Sequence, residues 1–533
     1  MTQASVSTLP KTGLAGLKEN WRYDLQSGFL VFLIALPLCL GISVASGFPP
    51  SAGIITAIIG GLVVSYLNGS FLTINGPAAG LIVVVLSAVQ TLGAGDASAG
   101  YRYTLAAIVV ASLLQILMGF FKLGQLSAFF PASVVHGMLA AIGIIIIGTQ
   151  SHVMLGTIPE AGSQFSIIAQ IPHSLENLNL EVVLISFLAL LILIIWPLMN
   201  SKIPAAILVL LVGALFAWHF DFDNSAAHKD LIYLVTIPDQ FMTSFAFPDF
   251  SKTISIDFWV AVLSISLVGS IESLLTITAI DNLDPYQRSS DVDKDLTAIG
   301  VGNLVSGLLG GLPMIAEIVR SSANMSYGAR TAWSNFFHGL LLLLFVVFFT
   351  GFIQRIPIAA LAALLVFIGY RLASPSTFSR VKDIGNEQLF IFIITIVSIL
   401  ATNLLLGVIL GTLIKLLISL VRGVKPSNLF KIFFTIHAGD QGTQLIKLSG
   451  SVLFSNVLPL KQALNQLALG QKLIIDLSNA YLIDHSVMSF LQQFQHHYES
   501  KGGHCQIQGV AATTFSDHTL ASRLMTADAR KSL

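Results

Sequence analysis

The sequence predicts an all-α polytopic membrane protein of 14 spans, built as a seven-plus-seven inverted repeat with two half-helices and followed by a small cytoplasmic α/β domain. Three observations predict this fold. Of the 533 residues, 54% are hydrophobic and 10% are charged, whereas about 25% of the residues in a soluble domain are charged. Apolar runs of about 20 residues, enough to cross a bilayer, recur as far as Val421. Beyond Val421, segments typical of strands alternate with segments typical of helices.

The apolar runs form two sets of seven, separated by a polar stretch. They predict a transmembrane domain at 25–422, with repeats at about 25–220 and 255–422. A cytoplasmic segment at 1–24 precedes this domain, and the α/β domain at 430–520 and a C-terminal tail at 521–533 follow it. The predicted spans lie near 25–44, 51–68, 72–90, 101–121, 131–149, 181–199 and 202–219, and then near 255–281, 295–309, 313–326, 331–351, 354–371, 386–402 and 404–421.

The distribution of basic residues predicts that both chain ends are cytoplasmic. The predicted outer loops contain only Arg102, Lys229, Lys252 and Arg355, and the predicted inner loops contain most of the other Lys and Arg residues. Inner loops are the positively charged ones in membrane proteins. Residues 1–20 are polar and do not have the apolar centre of a cleavable signal peptide. We therefore expect an integral protein of the plasma membrane.

Composition and motifs argue against several classes of function. The net charge is zero, with 27 Lys and Arg against 27 Asp and Glu, so the sequence predicts no basic surface for nucleic acid. Cys39 and Cys505 lie in different regions, which argues against a disulfide framework or a zinc site. The sequence contains no phosphate-binding loop, metal-ligand cluster or nucleophile elbow. We therefore expect neither an enzyme nor a bound cofactor or metal, apart from a coupling ion.

The third span of each set is interrupted by glycine and proline. The first contains TINGPAAG (Thr73–Gly80) and the second contains GGLPMIAE (Gly310–Glu317). Because each half has an odd number of spans, the halves are predicted to lie in opposite orientations, and paired breaks of this kind indicate a transporter's central site. We predict half-helices that begin after Pro77 and Pro313, whose free N–H groups and helix dipoles cradle one small anion. Two ordinary kinks are the alternative.

Charged residues lie near these breaks. Glu317 and Arg320 are three residues apart, on about the same helix face, and the eighth span contains Glu272 and Thr276 at i and i+4. Arg320 either supplies a fixed positive charge to the anion or neutralises Glu317. A carboxylate repels an anion unless it is protonated or holds a cation. We therefore predict that Glu272, Thr276 and Glu317 couple anion binding to Na⁺ or H⁺.

Five motifs together resemble the sulfate permease (SulP) family of anion transporters with a C-terminal STAS domain. The resemblance extends over nearly the whole chain from Trp21. It implies a core domain that moves against a gate domain, with substrate held between the third and tenth spans and facing the first and eighth. The motifs are ALPLCLGISVASG (Ala35–Gly47), INGPAAG (Ile74–Gly80), IESLLT (Ile271–Thr276), GGLPMIAEIVRSSAN (Gly310–Asn324) and IIDLSNAYLIDHSVMSFL (Ile474–Leu491).

The resemblance also implies roles for particular residues. Family members carry an acidic residue and, four positions later, a hydroxyl in the eighth span, which match Glu272 and Thr276; bicarbonate-transporting members use the acidic position in Na⁺ coupling. At Glu317 a glutamate replaces the family's usual small residue, a departure that argues against plain sulfate binding. The predicted substrate-binding residues are Asn75, Ala78, Ala79, Glu272, Thr276, Ala316, Glu317, Ile318 and Arg320.

Other features of the resemblance concern the substrate, the assembly and the cytoplasmic domain. The tenth-span motif resembles a bacterial subgroup often associated with carbonic anhydrases, which favours bicarbonate over sulfate and a bacterial inner membrane. Family members are commonly homodimers, so we expect a homodimer. Ser486 matches the phosphorylatable serine of regulatory STAS domains, although Val487 replaces the glycine that usually follows. Ser486 is therefore a candidate regulatory residue or simply a helix cap, and docking of a cytoplasmic partner is another role for the domain.

Two alternative functions stay open. Nucleobase:proton symporters share the seven-plus-seven architecture and bind a base through glutamates of the eighth and tenth spans, which Glu272 and Glu317 resemble. A dicarboxylate:proton symporter of the same fold belongs with this alternative. The second alternative is a membrane sensor or scaffold that no longer transports. The sequence favours secondary active transport of bicarbonate, with sulfate next, by an elevator or rocking movement.

Overall fold

A computed structural model of the chain places its helices and strands in two units. Unit 1 comprises Met1–Gly124 and Ile142–Leu372, and unit 2 comprises Gln125–Ala141 and Ala373–Leu533. The structure describes residues 9–124, 130–159, 163–199, 203–222, 233–286, 288–438, 443–467, 472–500, 502–509, 513–514 and 518–524.

The helices are α1 (Gly13–Ala45), α2 (Pro50–Ile59), α3 (Ser65–Leu67), α4 (Ile82–Gly93), α5 (Ala97–Phe120), α6 (Ala132–Met154), α7 (Gln164–Ala169), α8 (Ile171–Glu176), α9 (Leu180–Ile195), α10 (Ala205–His219), α11 (Ile256–Leu283), α12 (Val292–Leu308), α13 (Ile318–Ser326), α14 (Trp333–Phe348), α15 (Thr350–Ile353), α16 (Ile358–Leu372), α17 (Pro375–Ile384), α18 (Asn386–Ala401), α19 (Leu404–Val421), α20 (Leu458–Asn465) and α21 (His485–Ser500). The strands are β1 (Asn75–Pro77), β2 (Met314–Ala316), β3 (Phe433–Ala438), β4 (Gln444–Val452), β5 (Lys472–Ile483), β6 (His504–Gln508), β7 (Thr513–Thr514) and β8 (Arg523–Leu524).

The helices confirm the predicted class of membrane protein. Within the part of the chain that the structure describes, 8 helices are long and apolar enough to cross a membrane. Four of the other predicted spans are the shorter apolar helices Ala79–Gly93, Ala205–His219, Trp333–Phe348 and Asn386–Ala401, and the remaining two are α12 and β2 with α13. Each predicted span thus has a structural counterpart, and the structure is consistent with 14 spans.

The two broken spans meet through their strands. β1 pairs antiparallel with β2, with Asn75 opposite Ala316 and Pro77 opposite Met314. Antiparallel pairing is what two halves of opposite orientation require. The second half-helix begins at Ile318 rather than directly after Pro313, because the residues between them form β2.

Two adjacent glycines allow neighbouring elements to approach the first break. α2 continues through a π-helical segment, Gly60–Val64, of the kind often found at functional sites. A Cβ on Gly60 would overlap the Asn75 carbonyl, and a Cβ on Gly61 would overlap the backbone of Gly339 in α14. A side chain at either position would therefore push β1 or α14 away from α2.

The C-terminal domain forms the predicted α/β structure. β3, β4, β5, β8 and β7 form the sheet in that order, and β6 pairs with β5. Parallel pairs join β4 to β5 and β5 to β6, and α20 and α21 bury Leu460, Leu464 and Leu491 in the core of the domain. The sequence pattern at 442–456 favours a strand, a turn and a second strand, but the structure has the single strand β4, whose register with β5 shifts at Gly450.

Two elements of the structure extend beyond the predicted segments that contain them. α1 begins at Gly13, well before the span predicted at 25–44, so part of the predicted N-terminal segment is helical. Residues 521–524 of the predicted tail take part in the sheet through β8. Residues 1–8 and 525–533 lie outside the described residues.

A buried ion network joins two helices of unit 2. Lys415 of α19 donates to Glu387 of α18 at 2.6 Å, and Arg422 donates to the other oxygen of the same carboxylate. The Lys415 and Glu387 side chains are only 5% and 6% exposed. Because a buried charge must be paired, this carboxylate holds both basic side chains in place.

We expect Glu387→Gln to destabilise the protein, because it leaves two buried or partly buried cations without a carboxylate. Breaking a buried pair costs about 3–5 kcal/mol. The measurement is the unfolding midpoint of purified protein, with Glu19→Gln as the control, since Glu19 forms an exposed pair with Lys11 and such pairs contribute at most about 1 kcal/mol. Equal midpoints for the two variants would contradict the importance of the buried network.

Candidate functional site

Side chains from neighbouring helices hold the backbone of the second break. Asn303 of α12 accepts the Met314 N–H at 2.5 Å and donates to the Met314 carbonyl at 3.1 Å. It therefore pairs with β2 as a further strand would. The hydroxyls of Thr56 and Ser306 both donate to the Leu312 carbonyl. These contacts satisfy backbone groups that would find no partners in lipid.

The first break is held in the same way. Asn335 of α14 accepts the Asn75 N–H at 3.3 Å and donates to the Asn75 side-chain oxygen at 3.0 Å. Ser321 of α13 accepts the Ile74 N–H at 2.9 Å, and the Ile74 carbonyl accepts the Glu317 N–H at 2.9 Å. The two breaks therefore satisfy much of each other's backbone.

Arg320 connects the two breaks through its side chain. It is fully buried. Its Nη2 donates to the Pro77 carbonyl at 2.5 Å, and its Nη1 lies 3.7 Å from the Cys39 sulfur of α1. Its Nε lies 3.9 Å from the Glu317 carboxylate. A buried charge requires such partners, so the guanidinium of the second break is anchored on the backbone of the first.

Glu317 is the N-cap residue of α13. Its carboxylate accepts the Arg320 N–H at 2.8 Å, and its side chain is 12% exposed. A carboxylate at this position satisfies a free N–H group and interacts favourably with the helix dipole. The anion cradle predicted at this helix end therefore already carries a negative group of the protein.

Glu272 of α11 lies against the start of the first half-helix. It is buried, and a Cβ on Gly80 would overlap both of its carboxylate oxygens. Gly80 belongs to the short 3₁₀ turn Ala79–Leu81 that leads into α4. Among the described residues, Glu272 Oε1 has no hydrogen-bond partner. Thr276 is also buried, one turn further along α11. α11 thus presents a carboxylate with an unpaired oxygen to the first break.

Most of the predicted site residues lie together around α11 and the two breaks. A Cβ on Gly269 of α11 would contact Leu81 of the first break and Ile315 of the second. The Ile318 side chain is 38% exposed and does not belong to the buried set. Ile318 is the first residue of α13, so its backbone N–H is the group that fits the predicted role in anion binding. The buried members of the predicted set are Asn75, Ala78, Ala79, Glu272, Thr276, Ala316 and Arg320.

The residues that hold the breaks were not predicted from the sequence. Asn303 and Asn335 are buried amides inside membrane helices. A polar side chain in such a helix is costly unless it has a partner, and this signal was available in the sequence. Gly80 is the last residue of the TINGPAAG motif, but its close contact with Glu272 joins two segments far apart in the chain.

Ser486 and Asp484 of the α/β domain have separate contacts. Asp484 caps α21 by accepting the Val487 N–H at 2.9 Å. Ser486 is the second residue of α21 and therefore not its N-cap, and its Oγ accepts the N–H of Ala132, the first residue of α6, at 3.1 Å. The domain therefore contacts the start of a membrane helix through this serine. A regulatory role for Ser486 stays a prediction.

Comparison with known proteins finds a family match for each of the two parts of the chain. Residues 21–395 match the sulfate permease family, and residues 438–517 match the STAS domain. YvdB of Bacillus subtilis (strain 168) is 27% identical over 398 residues, which cover 74% of this chain and 73% of the relative. The bicarbonate transporter BicA of Picosynechococcus sp. is 26% identical over 409 residues, which cover 76% of this chain and 71% of the relative. The solved transmembrane domain of a cyanobacterium bicarbonate transporter BicA has the same fold, with a TM-score of 0.64 and 24% identity over 74% of this chain and 97% of that one.

We expect Gly80→Ala to lower stability, because its methyl group would overlap the Glu272 carboxylate. Overpacking of this kind costs about 1–3 kcal/mol. The measurement is the unfolding midpoint in a double-mutant cycle with Glu272→Ala, which removes the overlap and should restore most of the loss. Gly351→Ala is the control, because its Cβ would meet no atom within 4 Å. Additive effects of the two substitutions would show that Glu272 does not lie on Gly80.

Proposed function

Since this chain belongs to the sulfate permease family, a family of transporters rather than enzymes, we propose that it carries a small inorganic anion by secondary active transport coupled to Na⁺ or H⁺. Bicarbonate is the favoured substrate and sulfate the next. Similarity to a bicarbonate transporter and to a putative sulfate transporter supports these two substrates, and the charge around the two breaks favours bicarbonate.

The unpaired oxygen of Glu272 is the observation that carries the proposal. The carboxylates of Glu272 and Glu317 and the buried guanidinium of Arg320 lie close to the half-helix starts. An anion bound beside the carboxylates would be repelled unless a cation entered with it. Glu317 is engaged by the N–H of Arg320, whereas Glu272 Oε1 is unpaired among the described residues. We therefore assign the coupling ion to Glu272, with the Thr276 hydroxyl as a second oxygen ligand.

The same charges favour a monovalent over a divalent anion. Two unit charges about 4 Å apart interact by about 4 kcal/mol at an effective dielectric constant of about 20. A second negative charge on the substrate would add repulsion of this order from each nearby carboxylate. The proposed anion site uses the N–H groups near Ala79, at the start of the first half-helix, and the N–H of Ile318, because the Glu317 cap engages the N–H of Arg320. Backbone dipoles at such helix starts favour negative charge.

The paired breaks favour a movement in which both half-helices travel together. β1 and β2 are hydrogen-bonded to each other, and Arg320 ties α13 to the Pro77 carbonyl. A change that separated these elements would leave buried backbone groups unpaired. In an elevator or rocking movement, the third and tenth spans would therefore act as one body. A homodimer in a bacterial inner membrane with cytoplasmic chain ends belongs to the same proposal.

The proposal is tested by uptake into proteoliposomes. Labelled bicarbonate and sulfate are supplied with and without an imposed Na⁺ or proton gradient. We expect the wild type to take up bicarbonate faster under one of the gradients. In Glu272→Gln the gradient-stimulated part of the uptake rate should fall at least about tenfold, because a neutral amide neither binds nor releases the coupling ion. Glu317→Gln should keep the stimulation, and Glu19→Gln is the exposed control.

Three outcomes would contradict the proposal. Full gradient stimulation in Glu272→Gln would exclude this carboxylate as the coupling group. Competition by uracil or a dicarboxylate, but not by bicarbonate or sulfate, would favour a symporter of organic substrates. Binding of bicarbonate without uptake would favour a sensor or scaffold.

A further inference from the structure

Asp295 is another buried carboxylate, and the proposed transport does not use it. It lies in the first turns of α12 and is fully buried. Its Oδ1 accepts the N–H groups of Gly69 and Ser70, at 3.0 and 3.1 Å. Its Oδ2 has no hydrogen-bond partner among the residues that the structure describes. One half of this carboxylate is therefore well satisfied and the other half is not.

The segment 68–73, called the covering segment because its backbone lies over Asp295, supplies further oxygen atoms. The hydroxyls of Ser70 and Thr73 are in direct contact with each other, and both residues are buried. Because Asp295 accepts the N–H of Ser70, the Ser70 residue lies against its carboxylate, and Thr73 brings the hydroxyl that contacts the Ser70 hydroxyl. The same segment leads into β1 two residues later, at Asn75. The carboxylate and hydroxyls thus lie where the chain enters the first break.

The described basic side chains do not compensate Asp295. The salt bridges in the described part of the chain do not include it. The Arg288 side chain is 8% exposed, and it is engaged by Asp284 at 2.7 Å and by the Arg330 carbonyl at 2.8 Å. The nearby carboxylate of Asp281 adds repulsion, although its own oxygens accept bonds from Ser290. A buried carboxylate oxygen without a partner requires a cation, a proton or water.

A cavity lies on the other side of the segment that covers Asp295. It has a volume of about 550 Å³, and its lining includes Asn68, Gly69 and Ser70 of the covering segment. Asp291 and Lys294, from the start of α12, also line it. The covering segment therefore separates a solvent-sized cavity from the Asp295 carboxylate by little more than its own backbone.

We propose that Asp295, Ser70 and Thr73 form a second site for a monovalent cation, namely Na⁺. Hard cations take oxygen ligands from carboxylates, hydroxyls and water. A single uncompensated carboxylate charge matches one monovalent ion, whereas divalent ions are held by more carboxylates or by substrate phosphates. An ion here would link α12, through Asp295, to the segment that leads into β1. It would therefore hold the first break in place. The site is separate from Glu272 and does not depend on the proposed function.

The test measures Na⁺ binding without transport. The unfolding midpoint of the purified full chain is followed as NaCl replaces choline chloride at constant ionic strength. All variants carry Glu272→Gln, which removes the other proposed cation ligand. Because an ion that binds the folded state stabilises it, we expect the midpoint to rise with Na⁺ in this background. Addition of Asp295→Asn should abolish at least about four-fifths of the rise, since the amide still accepts the Gly69 and Ser70 N–H groups but carries no charge.

A second pair of variants separates ligation from packing. Thr73→Val removes one hydroxyl ligand and should raise the half-saturating Na⁺ concentration at least about fivefold. Thr73→Ser keeps a hydroxyl and should leave this concentration close to that of the background. The same rise with Na⁺ in the background and in the Asp295→Asn variant would overturn the proposal. No rise in the background, or a midpoint that follows pH and not Na⁺, would also overturn it, the latter because the carboxyl would then be protonated.

Discussion

The structure around the breaks depends on one interaction, the antiparallel pairing of Asn75–Pro77 with Met314–Ala316. Non-helical backbone inside a membrane protein persists only where other parts of the protein satisfy its N–H and carbonyl groups. Here β1 and β2 pair their backbone N–H and carbonyl groups with each other on the edges that face one another. On the outer edges, Asn303 bonds the backbone of Met314 and Asn335 accepts the N–H of Asn75. The pairing fixes where α4 and α13 begin, and therefore where their N-terminal dipoles act.

This geometry also sets the electrostatics. Arg320 is directed to the Pro77 carbonyl and Cys39, so its charge supports the joined backbone from within. Glu317 caps the helix that carries Arg320. Glu272 approaches from a different helix and retains an unpaired oxygen among the described residues. The three charges thus have different tasks, and the carboxylate of α11 is the one that is available to an ion arriving with the substrate.

The sequence predicted the local features and missed the long-range ones. Gly and Pro marked both breaks, and hydrophobic runs located the helices, because both signals lie within short segments. The β1–β2 pairing, the contact of Arg320 with Pro77 and the closeness of Gly80 to Glu272 join residues far apart in the chain, which a single sequence does not specify. Placing the second half-helix directly after Pro313 also hid the capping role of Glu317. Only the strand at Met314–Ala316 moves the helix start to Ile318.

The most direct measurement of the central claim is a disulfide across the two strands. In a background with Cys39→Ala and Cys505→Ala, Asn75→Cys is combined with Ala316→Cys, its opposite residue, or with Met314→Cys, its diagonal neighbour. Directly opposite Cβ atoms lie about 4.5–5.5 Å apart, and diagonal neighbours are farther apart, at about 7–8 Å. Mass spectrometry after mild oxidation should find the linked peptides mainly for the opposite pair. The absence of that link, or equal linkage in both pairs, would contradict the pairing of the breaks.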